Sequence, residues 1–182
     1  MFFKHIGSDV LIILVYVDDI LIIGSNNVYI TEVISQHSSE FALKDLGDFN
    51  YFLGLEVTPS VEGLHLSQTK YVGDILRKAH MLGSKGCNTP ISVVDKLQKD
   101  KGFAFENYSL YRSIIGSLQY LTLTRPVLLL TANKLSQFLT ASTTLHWQAC
   151  KRVLPYLQST IHFGLQFFKS SSPILTAYSD AD

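Results

Sequence analysis

The amino-acid sequence predicts an α+β fold, in which two pairs of β-strands precede a largely helical region. An apolar run at residues 10–24 is interrupted by two adjacent carboxylates, Asp18 and Asp19, and this pattern favours two strands joined at a tight tip. Residues 51–66 contain a second pair of strand-like stretches around a polar turn at residues 59–63. From residue 69 onward, apolar residues recur at helical spacing. The 182 residues, of which 47% are hydrophobic, suffice to bury a sizeable core.

The first strand pair is predicted at residues 10–17 and 20–24, with Asp18 and Asp19 at its tip. An ordinary turn is one interpretation, although two-residue turns favour Asn-Gly or Asp-Gly and Ile20 fits that pattern poorly. The other is a metal site, because hard divalent cations such as Mg²⁺ bind carboxylate oxygens. A transmembrane span is excluded because the apolar run is too short and holds two central charges. The preceding residues also lack the features of a secretory signal.

A helix and a second hairpin are predicted next. Asn26 or Asn27 can cap a helix that covers the first strand pair, since its apolar positions share one face. Those positions are Tyr29, Ile30, Val33, Ile34 and His37. The second hairpin is predicted to pair residues 51–57 with residues 64–66.

Four helical segments are predicted in the remainder of the chain. The first covers residues 69–81 and is ended by Gly83, and an irregular connector at residues 86–110 follows it. The others are expected at residues 111–123, 127–139 and 144–158, with Pro126 breaking the first two of these apart. His146 and Cys150 lie four residues apart on the last helix and could share a metal. Because no second ligand pair lies nearby, we expect a core cysteine beside a surface histidine.

Charge and cysteine content limit the possible functions. Fifteen Lys and Arg residues balance fifteen Asp and Glu residues, so the chain lacks the strongly basic surface of an autonomous nucleic-acid-binding protein. Lys70, Arg77 and Lys78 do concentrate positive charge on the helix at residues 69–81. They form either a solvated helix face or a set of phosphate contacts. Cys87 and Cys150 form no Cys-x-x-Cys pair, which favours two reduced thiols in an intracellular protein.

The tip of the first hairpin, Tyr16-Val17-Asp18-Asp19, resembles the Tyr-x-Asp-Asp signature of reverse transcriptases. Four further segments follow in the order found in copia-type LTR retrotransposon Pol polyproteins. They are FALKDLGDFNYFLGLEV at 41–57, GLHLSQTKYV at 63–72, YRSIIGSLQYLTLTRP at 111–126 and SDAD at 179–182. The resemblance covers nearly the whole chain.

This resemblance implies a partial palm at residues 1–68, a helical thumb and connection region at residues 69–168, and the first strand of RNase H at residues 169–182. Asp18 and Asp19 would be the catalytic carboxylates and would bind Mg²⁺ or Mn²⁺. Three groups of residues would have supporting roles. They are Phe52, Leu53 and Gly54 as a primer-grip-like segment, Lys70, Arg77 and Lys78 on the nucleic-acid backbone, and Asp180 as the first RNase H carboxylate.

Two residues depart from the family pattern, and a third has no assigned role. Val127 stands where family members usually have Asp, and Pro155 stands in a predicted helix where an Arg is usual. A proline inside a helix costs about 3 kcal/mol. Asp9 precedes the first apolar strand but does not lie in a matching motif, and we assign it no catalytic role.

The sequence therefore predicts a reverse transcriptase fragment, an RNA-directed DNA polymerase in its family activity, whose metal binding is weak. We expect it to be inactive by itself, because the upstream catalytic aspartate and the fingers of the family are absent from these residues. Its expected partners are template-primer nucleic acid, an upstream reverse transcriptase segment and a downstream RNase H, with no membrane. The alternatives are a non-catalytic interaction module for nucleic acid or protein, and an element remnant without function.

Overall fold

The computed structural model describes residues 1–90, 97–99, 101–170 and 176–179, and divides the chain into two compact units, Met1–Leu53 and Gly54–Asp182. The described residues form two antiparallel sheets and five α-helices, which confirms a mixed α and β fold. The first unit contains β1 (Phe2–Ile6), β2 (Asp9–Tyr16), β3 (Asp19–Gly24), α1 (Asn27–Glu40) and β4 (Tyr51–Phe52). The second contains β5 (Leu55–Pro59), β6 (Gly63–Ser67), α2 (Thr69–Lys78), α3 (Tyr108–Leu121), α4 (Leu129–Ser136), α5 (Thr144–Ser159) and β7 (Gly164–Phe168). The predicted functional segments, residues 1–68, 69–168 and 169–182, have boundaries different from those of these two units. Their assignment to palm, thumb and RNase H stays a prediction.

The first unit is a three-stranded antiparallel meander with one helix against it. β2 pairs with β3 as predicted, whereas β1, which pairs with the other edge of β2, was not predicted. The Asn26 side chain accepts a hydrogen bond from the backbone N–H of Val28, so the predicted cap of α1 is confirmed. A Cβ at Gly24 would lie 3.2 Å from Ile30 Cγ1 of α1 and 3.2 Å from Leu11 Cδ1. The absence of a side chain at Gly24 therefore allows α1 to pack against the sheet.

The second strand pair is interrupted where the sequence predicts a continuous strand at residues 51–57. Leu53 and Gly54 have positive φ angles of 50° and 77°, so β4 ends at Phe52 and a new strand begins at Leu55. β5 and β6 then pair around residues 60–62, close to the predicted turn. β7 pairs with β6 and was not predicted.

Four helices of the second unit share one apolar core. Its fully buried side chains include Leu76 on α2, Ile114 and Leu118 on α3, Leu135 on α4 and Leu154 on α5. All of these except Leu135 lie at the helical spacing by which the sequence predicted their helices.

Three helices, α2, α3 and α4, differ from their predicted ranges. α2 ends at Lys78, because His80 adopts a φ of 55° and the Met81 N–H donates to the Leu76 carbonyl at 2.8 Å, so Gly83 is not the terminator. α3 starts at Tyr108, earlier than predicted, with the Asn107 side chain accepting from the Leu110 N–H. Pro126 begins a 3₁₀ turn, Pro126–Leu128, and α4 follows.

α5 matches its predicted range and continues through Pro155 to Ser159. Apart from the start of α3 at residues 108–110 and a bridge between Ala104 and Thr143, the described residues of the predicted connector form neither helix nor strand.

Candidate functional site

The tip of the β2–β3 hairpin is a two-residue turn formed by Val17 and Asp18. Tyr16 pairs directly with Asp19, so the second carboxylate is the first residue of β3 and not part of the turn. Val17 has a φ of 52° and its side chain is 83% exposed. A positive φ is unusual for a β-branched residue and costs about 1–3 kcal/mol. Strained backbone of this kind is concentrated at functional sites.

Asp18 and Asp19 are both exposed. Neither carboxylate therefore incurs the desolvation penalty that its position in an apolar stretch of sequence suggests. Their oxygens suit a hard divalent cation. Within the described ranges, however, no group of three or more His, Cys, Asp or Glu side chains is close enough to hold a metal ion. The described residues therefore form no complete metal site, and the role of Asp18 and Asp19 as metal ligands stays a prediction.

Asp9, the carboxylate nearest in sequence to β2, has a structural role. One of its oxygens accepts from Ser25 Oγ and the other from Asn26 Nδ2, each at 3.0 Å. Ser25 Oγ also accepts from the Val10 N–H at 3.0 Å. These bonds fasten the start of β2 to the N-terminus of α1, which agrees with leaving Asp9 out of the catalytic set.

The primer-grip-like segment contains a strained turn. A Cβ at Gly54 would lie 3.2 Å from Tyr120 Oη, and the φ of 77° already disfavours any side chain there. The positive φ and the nearby Tyr120 side chain thus explain why glycine stands at position 54. The sequence instead suggested that Gly54 allows the close approach of a ligand or of another backbone. Phe52 contacts Phe49, with ring centroids 6.3 Å apart. The role of Phe52, Leu53 and Gly54 at a primer stays a prediction.

The cations of α2 lie on its exposed face, and two of them have partners. Arg77 forms an ion pair with Asp74, and Lys78 Nζ donates to Ser113 Oγ on α3. The Lys70 backbone N–H donates to a Glu56 carboxylate oxygen at 2.7 Å, so Glu56 caps the start of α2. The Lys70 ammonium itself has no partner among the described residues.

Two of the segments that resemble the retrotransposon family meet in the second unit. Thr124 Oγ1 donates to the Oε1 atom of the fully buried Gln68 at 2.6 Å. Tyr71 and Tyr120 pack edge to face, with ring centroids 5.2 Å apart. The sequence placed all four residues in motifs but did not predict that the motifs touch.

Arg125, in the same motif as Thr124, is also buried. Its guanidinium donates to Thr160 Oγ1 at 3.1 Å and to the Ile161 carbonyl at 2.7 Å. Burial lowers the pKa of Arg125, and the nearby Tyr156 opposes that shift. Arg125 therefore ties the turn after α3 to the segment that leads into β7.

His146 is buried, so the prediction of a surface histidine is wrong, whereas the prediction of a core cysteine at Cys150 is confirmed. His146 Nδ1 accepts from the Thr143 N–H at 3.0 Å, which leaves Nε2 as the protonated nitrogen that donates to the Gln98 carbonyl at 3.1 Å. Both ring nitrogens are occupied, and the ring stacks on Phe138. The pair is therefore not a metal site.

Burial shifts the titration of both residues. It lowers the pKa of His146, against the effect of the hydrogen bond to Gln98, and raises the pKa of the Cys150 thiol to about 12.

Asp180, the predicted first RNase H carboxylate, lies outside the described residues.

Over the part of the chain that the structure describes, no helix combines the length and the apolar character needed to span a membrane.

Comparison with known proteins assigns the family. The family model described as "Reverse transcriptase (RNA-dependent DNA polymerase)" matches residues 1–93. Over its whole length the chain is 42% identical to "Retrovirus-related Pol polyprotein from transposon RE2" of Arabidopsis thaliana, and it covers 12% of that protein. It is 34% identical to "Retrovirus-related Pol polyprotein from transposon TNT 1-94" of Nicotiana tabacum, of which it covers 14%.

A shorter relative is covered more fully. An uncharacterized mitochondrial protein of Arabidopsis thaliana is 43% identical over 171 residues, which are 93% of this chain and 70% of that protein. No solved structure matches. The chain thus spans 12% of the first Pol polyprotein that it matches. The chain belongs to the reverse transcriptase (RNA-dependent DNA polymerase) family.

Proposed function

We propose that this chain is a segment of a copia-type retrotransposon reverse transcriptase, in which Asp18 and Asp19 are catalytic ligands for Mg²⁺ or Mn²⁺. The observation that carries the proposal is an exposed Tyr-x-Asp-Asp sequence at the strained tip of a β-hairpin, in a chain of this family. In such polymerases, divalent cations stabilise the attacking and leaving oxygens of nucleotidyl transfer.

The 182-residue polypeptide alone is proposed to bind metal weakly and to lack polymerase activity. The support is that Asp18 and Asp19 have no third ligating side chain near them within the described residues. Mg²⁺ requires near-octahedral oxygen coordination, and two exposed carboxylates leave most positions to water. The remaining parts of the active site would come from an upstream reverse transcriptase segment of a Pol polyprotein.

Template-primer nucleic acid is the proposed partner of the second unit, through Lys70, Arg77 and Lys78. Lys70 is exposed at the start of α2, and its ammonium lacks a partner within the described residues. Asp74 partly neutralises Arg77, so Lys70 and Lys78 are expected to contribute most. Such contacts to phosphates position the nucleic acid without reading its sequence. The alternative function, a non-catalytic nucleic-acid-binding module, depends on the same three cations. If they form only a solvated helix face, that alternative loses its support too.

The test is the salt dependence of binding to a fluorescently labelled RNA–DNA hybrid, measured by anisotropy. Log affinity should fall linearly with log salt, by about 0.9 units of slope per phosphate contact, and be equal for two unrelated sequences. K70A should lower the slope by about one unit because one contact is removed. K101A, which removes an exposed lysine outside α2, is the matched control and should leave the slope unchanged. A flat salt response or a strong sequence preference would refute the proposal.

A further inference from the structure

We infer that Tyr120, held by Tyr71, is a positioning residue that fixes the Gly54 turn against the first turn of α2. The inference rests on the proposed nucleic-acid binding and adds a mechanical link within the second unit. Through this link Gly54 and the first turn of α2 act as one rigid element that holds Lys70 in place for its contact with the nucleic-acid backbone.

The first step is the contact at Gly54. The nearest atom to a Cβ placed there is Tyr120 Oη at 3.2 Å, followed by Tyr120 Cε1 at 3.5 Å and Cζ at 3.8 Å. A side chain at position 54 would therefore point at the hydroxyl edge of the Tyr120 ring. With a φ of 77°, this position accommodates only glycine without strain, so the turn can approach the ring this closely.

The second step is the connection from Tyr120 to α2. Tyr71, in the first turn of α2, meets the Tyr120 ring edge to face at 5.2 Å and an interplanar angle of 81°. Gln68 and Thr124 form a parallel contact between the same two helix ends, through a buried hydrogen bond of 2.6 Å. Two contacts side by side prevent the first turn of α2 from rotating against the end of α3.

The third step closes the link on the strand side. Glu56 lies two residues after Gly54 and accepts from the Lys70 backbone N–H at 2.7 Å. Its other carboxylate oxygen lies 3.5 Å from Ser67 Oγ. The Gly54 turn is thus joined to the first turn of α2 along two routes, one through Tyr120 and Tyr71 and one through Glu56. Lys70 lies where the two routes meet.

The test is a double-mutant cycle on the full chain, with affinity for the labelled RNA–DNA hybrid as the readout. In wild type, K70A should lower the salt slope by about one unit. In a Y120L background the turn and Lys70 no longer act together, so K70A should change the slope and the affinity by much less. Y108L removes a tyrosine from the opposite end of α3 and is the matched control, in which K70A should retain its full effect.

A second variant pair separates positioning from simple stability. Y120F removes the hydroxyl oxygen that lies nearest to the methyl group introduced by G54A, and it keeps the ring contact with Tyr71. Y120F should therefore recover part of the binding that G54A loses. Additive effects of K70A and Y120L, or no recovery of G54A by Y120F, would overturn the inference alone. Salt-insensitive binding by the wild-type chain would overturn the proposed function and this inference with it.

Discussion

At the residue scale, Val17 contributes strain and little packing to the hairpin tip. Its φ is 52°, and 83% of its side chain is exposed. Asparagine adopts a left-handed backbone far more readily than a β-branched residue does. We therefore expect V17N to raise the free energy of unfolding by about 1 kcal/mol, measured by urea denaturation.

The control for this prediction is V15N. Val15 is also exposed, at 48%, but lies within β2, where asparagine is unfavourable. V15N should lower stability or leave it unchanged. A destabilised V17N would mean that the valine side chain makes a contribution that outweighs its backbone strain.

His146 gives the second unit a stability that depends on pH. Burial lowers its pKa in the folded state, so the unfolded chain binds the proton more readily. The contribution of the neutral imidazole is complete above the unfolded pKa of about 6.5 and is lost as the pH falls through the lower folded value. Urea midpoints should therefore decrease from pH 7.5 to pH 5.5 in wild type.

H146Q is the informative variant for this effect. Glutamine keeps an acceptor for the Thr143 N–H, as in a capping box, but does not titrate. Its midpoint should be lower at pH 7.5 and change less between the two pH values. H162Q alters an exposed histidine and should retain the wild-type decline. An equal decline in H146Q would assign the pH dependence to other groups.

At the scale of the elements, the hairpin alone is expected to bind divalent metal only weakly. Asp18 and Asp19 are exposed, and the described residues bring no third ligand to them. Titration of Mn²⁺ into the full chain by calorimetry should give a dissociation constant well above the micromolar range. Sub-micromolar binding that D18N abolishes would show that the hairpin completes a site without other sequence.

The helices α2, α3 and α5 were predictable because each buries a regular apolar stripe. Ile114 and Leu118, or Cys150 and Leu154, are four residues apart and lie in one core. β1 was predictable in principle, because Gly7 and Ser8 form a two-residue hairpin turn, a recognised signal that the long apolar run obscured. β7 was not, since a strand of five residues pairs with β6 across about a hundred residues of chain.

The candidate site was predictable only in its residue types. A motif placed Asp18 and Asp19 at a hairpin tip, but only the strand register assigns Val17 and Asp18 to the turn. Periodicity does not reveal a buried polar contact such as that of His146 with Gln98, because its two partners are far apart in sequence. For the same reason, the contact between Gly54 and Tyr120 is visible only in three dimensions.

At the scale of the whole molecule, charge balance and family membership together determine which nucleic-acid binding and polymerase activity we expect of the chain. Fifteen basic and fifteen acidic residues give no net attraction for nucleic acid, so we expect any binding to depend on the exposed face of α2. The chain also covers only 12% of the RE2 Pol polyprotein. Activity should therefore be a property of an assembly that includes this chain.

Primer extension on an RNA template with Mg²⁺ and deoxynucleotides tests that expectation. The 182-residue chain should give no product, because two carboxylates do not position the metals before the nucleotide arrives. Joining it to the upstream segment of an active family member should produce extension, and D18N or D19N should then abolish it. D9N is the control, since Asp9 bonds to Ser25 and Asn26 and should affect stability more than extension. Template-dependent extension by the unmodified chain, lost in D18N or D19N, would mean that these residues already form a working polymerase site.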